Sequence, residues 1–150
     1  MAKRLFDIIF SLLGLLILFP FLIIVSLKIK LDSKGPVFYR GLRVGKDGKN
    51  FRIFKFRTMV PEAEKIGGPS TSADDFRLTS FGKSLKRRNL DEFPQLINVL
   101  KGEMSFVGPR PEVPSEMATY REDERKIILS VRPGITDLAS LANPHEGEVL

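Results

Sequence analysis

Two adjacent carboxylates, Asp91 and Glu92, open a helical pattern and follow closely on three consecutive cations, Lys86, Arg87 and Arg88. Farther on, Val107-Gly108-Pro109-Arg110-Pro111 stiffens the backbone on both sides of one arginine, since each proline locks its own φ and restricts the residue before it. An arginine held that way suits a group that must grip phosphate. Arg132, in Val131-Arg132-Pro133-Gly134, is a second candidate anion contact. Carboxylates can attack phosphorus to give an acyl phosphate. They can also hold Mg²⁺, which takes oxygen ligands and bridges to substrate phosphates. Cations nearby then stabilise charge on the transferring phosphoryl oxygens. Phosphoryl transfer is the chemistry that these residue types suggest.

The rest of the composition narrows the choice. The 150-residue chain has no cysteine, which excludes a thiolate nucleophile, a disulfide framework and a cysteine-based zinc site. Its one histidine is His145, so neither a Ser-His-Asp triad nor a histidine-rich metal site is expected. The net charge of +6 predicts an acidic partner: phosphates, anionic headgroups or nucleic acid.

The elements that must position Asp91 begin with a membrane segment. Between Leu5 and Leu27 the only charge is Asp7, and about 20 apolar residues suffice to cross a bilayer. Pro20 interrupts the run and frees the carbonyl of Leu16, so the helix is expected to kink or break there. Both flanks are basic, with Lys3 and Arg4 before and Lys28, Lys30 and Lys34 after, whereas a spanning helix concentrates such residues on its cytoplasmic side. Residues 1–34 are therefore expected to form a re-entrant helix-break-helix whose ends both return to the cytosolic face. A cleaved signal peptide is not expected, because no small-residue cleavage site precedes the basic stretch.

Residues 35–150 are expected to form a compact cytosolic-face catalytic domain, making the protein mainly α with a small β-hairpin. Pro36–Arg40 and Phe51–Met59 read as strands around a Lys46-Asp47-Gly48-Lys49 turn. A short helix is expected within Thr58–Ile66, then a Gly67-Gly68-Pro69-Ser70 loop. Phe81–Arg88 reads as a helix with Ser80 as N-cap. Phe93, Leu96, Ile97 and Leu100 give the next helix its apolar spacing, with Asp91 and Glu92 at its N-terminus and Gly102 as its stop. Pro111–Leu129 predicts a further charged helix, and Pro133-Gly134 the centre of a type II turn.

Four stretches in order resemble the bacterial sugar transferases, the monotopic phosphoglycosyl transferases. They are Lys3-Arg4-Leu5-Phe6-Asp7 opening an apolar run with a central proline, Phe54-Lys55-Phe56-Arg57-Thr58-Met59, Leu90-Asp91-Glu92 through Gly108-Pro109-Arg110-Pro111, and Val131-Arg132-Pro133-Gly134-Ile135-Thr136. The block from Leu90 to Pro111 is the most specific. The resemblance implies transfer of a sugar 1-phosphate from a UDP-sugar to polyprenol phosphate with release of UMP, on the cytoplasmic face of the bacterial inner membrane. It implies Asp91 as nucleophile, Glu92 assisting it in holding Mg²⁺, and Lys55, Arg110, Arg88 and Arg132 as substrate contacts. Packing of the membrane hairpin could support a homodimer, and no nucleic-acid partner is implied. Family members often carry Ser-Pro at the helix break, where Phe19-Pro20 stands here, and Gly-Trp-Ala-Gln where Asp137-Leu138-Ala139-Ser140 stands here. They usually continue well past the Pro133-Gly134 turn, so the 35–150 domain is expected to be either C-terminally truncated or a short variant.

Two rival classes remain open from sequence. Cations interleaved with phenylalanines over Phe51–Arg57 would suit a non-catalytic, membrane-tethered module for nucleic acid or anionic lipid. A catalytically inert scaffold that only resembles the enzyme is the other.

Overall fold

The computed structural model describes residues 2–67 and 75–137, so the expected loop at Gly68-Pro69-Ser70 and the stretch beyond Asp137 lie outside the described residues. It is mostly helical, with small two-stranded sheets.

The apolar run folds as one helix, α1 (Ala2–Asp32), which passes through Pro20. By length and composition it is apolar enough to cross a membrane. The expected break at Pro20 is not found. A proline inside a helix costs about 3 kcal/mol, but contacts on both sides of this one hold α1 to the same body. Gly14 lies so close to Leu96 that an added Cβ would stand 3.1 Å from the Leu96 Cδ1, and the rings of Phe21 and Phe93 are 5.8 Å apart. Val25 and Ile29 enter a core with Phe56 and Leu85. Burying each side chain is worth roughly 1.5–3 kcal/mol.

Polar anchors fix both ends of α1. Near its start, Arg4 donates to the carbonyls of Val99 (2.6 Å) and Leu100 (2.8 Å), and Lys3 donates to that of Val107 (2.8 Å). Asp7, only 2% exposed, accepts from the Ser105 hydroxyl at 2.9 Å and the Phe106 N–H at 3.2 Å. At the other end the buried Arg57 donates to the carbonyls of Ser33 (2.8 Å) and Lys34 (2.6 Å).

The polar part opens with β1 (Phe38–Tyr39), β2 (Leu42–Val44), β3 (Asn50–Arg52) and β4 (Lys55–Phe56). A hairpin forms around the expected turn, where Asp47 and Gly48 take positive φ, but its first strand is β2, beyond the expected Pro36–Arg40, and β2 pairs antiparallel with β3. The second expected strand, Phe51–Met59, is instead divided, with β4 pairing with β1 so that Tyr39 faces Lys55. Asn98, fully buried, divides it by accepting from the Phe54 N–H at 2.8 Å and donating to the Arg52 carbonyl at 3.0 Å.

The helices that follow are short: α2 (Ala63–Ile66), α3 (Ser80–Arg87), α4 (Gln95–Lys101), α5 (Pro114–Met117) and α6 (Glu122–Leu129). Thr79, not Ser80, caps α3, its hydroxyl accepting from the Gly82 N–H at 3.0 Å. Gly102 ends α4 at φ +84°, as its left-handed conformation requires. The single helix expected over Pro111–Leu129 is two, because Arg121 starts α6 with a new cap, its N–H donating to Glu124. A parallel pair, β5 (Ser105–Val107) with β6 (Gly134–Thr136), was not expected; Gly134 begins a strand instead of sitting at a turn centre.

Replacing Asp7 with alanine strands a buried hydroxyl and a backbone N–H. The expected loss of stability is about 2–4 kcal/mol, measurable by denaturant unfolding of the full chain in detergent micelles.

Candidate active site

The turn carrying the carboxylates is made by what precedes and follows it. Asn89, just after α3, adopts a left-handed conformation at φ +53° and redirects the chain. Leu90–Glu92 then form a 3-10 turn, and Pro94 begins the approach to α4. Asp91 and Glu92 thus occupy a separate turn before α4, not the first turn of a continuous helix as expected.

That turn places the two side chains differently. Asp91 is buried, 8% exposed, whereas Glu92 is half-buried and meets the Lys55 Nζ at 2.7 Å. Such a partly exposed pair adds little to stability, but it fixes where the lysine points. Burial pushes the Asp91 carboxyl above its ordinary value of 3.8 and Glu92 pushes it further, while the positive charges of Lys55 and Lys86 pull it back. Burial likewise lowers the Lys86 amine, with the charges of Asp91 and Asp75 acting to raise it. Asp75 is held down at about 2, chiefly by its hydrogen bonds with Arg77, the closest at 2.6 Å.

The structure therefore brings Lys55, Asp91 and Glu92 together and adds Lys86. Sequence reasoning named Lys86 only as part of a basic run. Its place beside Leu85, on the buried edge of α3, is the signal that a helical projection would have offered. Three other sequence candidates stand differently. Arg88 and Arg110 are exposed, and Arg110 acts on Glu112, whose carboxyl is raised by burial and by its bond with Glu116. Arg132 donates through Nε to the Gly102 carbonyl at 2.7 Å. Gly102 caps the far end of α4, about 10 Å of helix from the turn that bears Asp91.

Among the described residues no group of three or more histidine, cysteine or acidic side chains could hold a metal by itself. Asp91 and Glu92 still fit Mg²⁺, which keeps several waters and binds through one or two carboxylates together with substrate phosphates.

A profile of the family described as bacterial sugar transferase matches residues 1–148. The chain belongs to that family. It is 43% identical over 148 residues to the UDP-glucose:undecaprenyl-phosphate glucose-1-phosphate transferase of Klebsiella pneumoniae, covering 97% of this chain and 32% of that protein. It is equally 43% identical over 151 residues to the Escherichia coli (strain K12) protein of the same name, covering 99% of this chain and 32% of that one. With the exopolysaccharide production protein PSS of Rhizobium leguminosarum bv. phaseoli it shares 45% over 145 residues, 93% of this chain and 72% of that one. The chain thus spans about a third of the length of the first two relatives.

Two outcomes are expected of this cluster. Because folding raises the Asp91 carboxyl, its contribution to stability is complete below the unfolded value and is lost as pH rises through the folded one. Asp91→Asn is therefore expected to raise the melting temperature at neutral pH and to leave it nearly unchanged in acid, as followed by thermal unfolding. Lys55→Met removes a charge that favours the Asp91 carboxylate, so the Asp91 titration followed by carbon NMR is expected to move to higher pH.

Proposed function

We propose that this chain is the catalytic part of a phosphoglycosyl transferase that moves a sugar 1-phosphate from a UDP-sugar to polyprenol phosphate. The observation that carries the reading is Asp91, buried between Lys55, Lys86 and Glu92 in a turn seated directly on an apolar helix. Its relatives are named for chemistry that joins a nucleotide sugar to a lipid phosphate.

In the first step an Asp91 carboxylate oxygen bonds to the phosphorus that bears the sugar. The bond from that phosphorus to the bridging oxygen breaks, and UMP leaves with the electron pair. A polyprenol phosphate oxygen then attacks the same phosphorus, the bond to Asp91 breaks, and the free carboxylate returns with a sugar diphosphate lipid as product. Two displacements on one side chain let the soluble donor and the lipid acceptor use the site in turn. Burial disfavours the ionised form of Asp91 and leaves it weakly solvated, while Lys55 and Lys86 keep it available as an anion. Lys55 is also placed to meet negative charge as it develops on the phosphoryl oxygens. Mg²⁺ held by Asp91 and Glu92 would supply further neutralisation of the donor diphosphate.

The contacts of α1 support a location at the membrane surface. Its anchors run from Arg4 to Ile29, about 37 Å of helix, and all belong to the same polar body. A spanning helix would drag part of that body through the hydrocarbon, which unpaired polar groups do not tolerate. We therefore read the enzyme as monotopic, on the cytoplasmic face of the bacterial inner membrane. The cations over Phe51–Arg57 do not favour a nucleic-acid module: Lys55 is engaged by Glu92, and Arg57 by helix-end carbonyls.

The test is UMP release from a panel of UDP-sugars by the full chain in lipid vesicles, with polyprenol phosphate and Mg²⁺. Release with at least one sugar is expected, reduced about a thousandfold or more by Asp91→Asn. Undiminished release from Asp91→Asn would sink the covalent mechanism.

A further inference from the structure

Two arginines at the base of the β2–β3 hairpin hold one another. Arg40 donates through Nη2 to the Arg52 carbonyl at 3.3 Å, and Arg52 donates through Nη1 to the Arg40 carbonyl at 3.1 Å. The Arg40 guanidinium lies over the Phe54 ring, 3.3 Å from its centroid, and its Nε is buried without a hydrogen-bond partner. Two like charges are thus fixed side by side. Among the described residues neither of them enters an ion pair. Arg43, the next cation along the chain, is different, because it faces the Glu112 carboxyl. A guanidinium brings five N–H donors, so a bond to one carbonyl leaves most of each fork for another acceptor.

The clasp stands next to the side that α1 turns toward lipid. Phe54 also meets the ring of Phe38 edge-on at 5.9 Å. Phe38 in turn lines an open apolar hollow with Phe19, Ile23 and Leu27 of α1, all three of them exposed. The two ring separations set the Arg40 guanidinium within about 9 Å of the Phe38 ring, and an interfacial helix sinks its apolar face about 5–10 Å below the headgroups. Phe38 at the level of the acyl chains therefore leaves Arg40 at the level of the phosphates. Leu42, exposed and directly opposite Arg52 in the strand pairing, adds an apolar contact beside it.

We propose that the Arg40–Arg52 clasp is a docking site for the headgroup phosphate of an anionic bilayer phospholipid. The proposal rests on the membrane-surface reading of α1 and not on the transfer chemistry. Planar guanidinium forks match phosphate oxygens in pairs, and a bound phosphate offsets the repulsion between the two cations. What the site contributes is orientation. Burial of α1 in lipid sets its depth, whereas rotation about its axis is left to interfacial anchors. A cation pair fixed on one side of the domain selects the face that meets the bilayer.

The experiment uses the full chain in phosphatidylcholine vesicles that contain a phosphatidylglycerol probe with a photoreactive diazirine on its headgroup. Labelled peptides are located by mass spectrometry. Label is expected within residues 38–42 and 50–54, displaced by unmodified phosphatidylglycerol and not by UDP-sugar or polyprenyl phosphate at equal concentration. Arg52→Gln leaves Arg40 stacked on Phe54 and is expected to cut that labelling about fivefold, the weight of one cation at an anionic surface. Arg40→Lys keeps the charge, loses the planar fork and is expected to cut it about twofold or more. Lys126→Gln, on α6, should leave it unchanged. Label confined to α1, label unchanged in both arginine variants, or equal labelling by a phosphatidylcholine probe would overturn the proposal. Displacement by UDP-sugar or polyprenyl phosphate would overturn it in favour of a substrate phosphate. Flotation of the chain with the vesicles, measured on the same samples, separates the two claims. A chain that floats without label at the hairpin keeps its membrane association and loses the clasp, and one that fails to float loses both.

Discussion

Every other feature of this molecule depends on how an apolar helix is joined to a basic domain without leaving unpaired backbone at the seam. Short helices expose carbonyls at their C-termini, and these must find donors. Here arginines supply them. Arg4 reaches from α1 to the carbonyls of Val99 and Leu100, while Arg132 reaches back from beside β6 to that of Gly102. Arg57 does the same for the end of α1 at Ser33 and Lys34. The helix dipole favours cations at such ends, and a guanidinium can serve two carbonyls at once. Of the cations that suggested phosphate recognition, Arg132 is thus engaged at a helix end instead.

The helix α4 is the common member of these contacts. It is preceded by the turn bearing Asp91 and Glu92, its middle residue Asn98 divides the strand that carries Lys55, and its end is gripped by Arg4 and Arg132. Asn98 is fully buried, with its carbonyl and amide both engaged and a further bond to Glu103 at 2.7 Å. Buried polar groups that are fully satisfied specify one arrangement, because any alternative strands a donor or acceptor. The distance between Lys55 and the dyad is thus set by a core amide rather than by the weak surface attraction of the ion pair itself.

The site carries a conflict between stability and chemistry. Burying Asp91 disfavours its charge, and the nearby Glu92 adds to that cost, with Lys55 and Lys86 only partly offsetting it. Lys86 is itself destabilised as a cation by burial. Groups arranged so that their preferred charge states are opposed are common at functional sites, because the strain is relieved when a charged ligand arrives. A diphosphate would compensate the lysines, and a bound cation would compensate the carboxylates.

Chemical type and order were legible in the residues. The apolar run, the absence of cysteine, the adjacent carboxylates and the flanking prolines set which kinds of chemistry the side chains offer, since ionisation, hydropathy and proline geometry belong to the residue wherever it lies. Most helix sites were legible too, because α3 and α4 keep their apolar spacing. Tertiary structure decided the rest. The continuity of α1 through Pro20 depends on Leu96, Phe93 and Phe56, which are distant in sequence. The split of Phe51–Met59 depends on Asn98, more than forty positions away. The pairing of β5 with β6 and the employment of Arg57 and Arg132 as helix caps are contacts across the whole domain. A sequence determines the charge an arginine brings, but only the folded chain decides whether a carbonyl or a phosphate receives it.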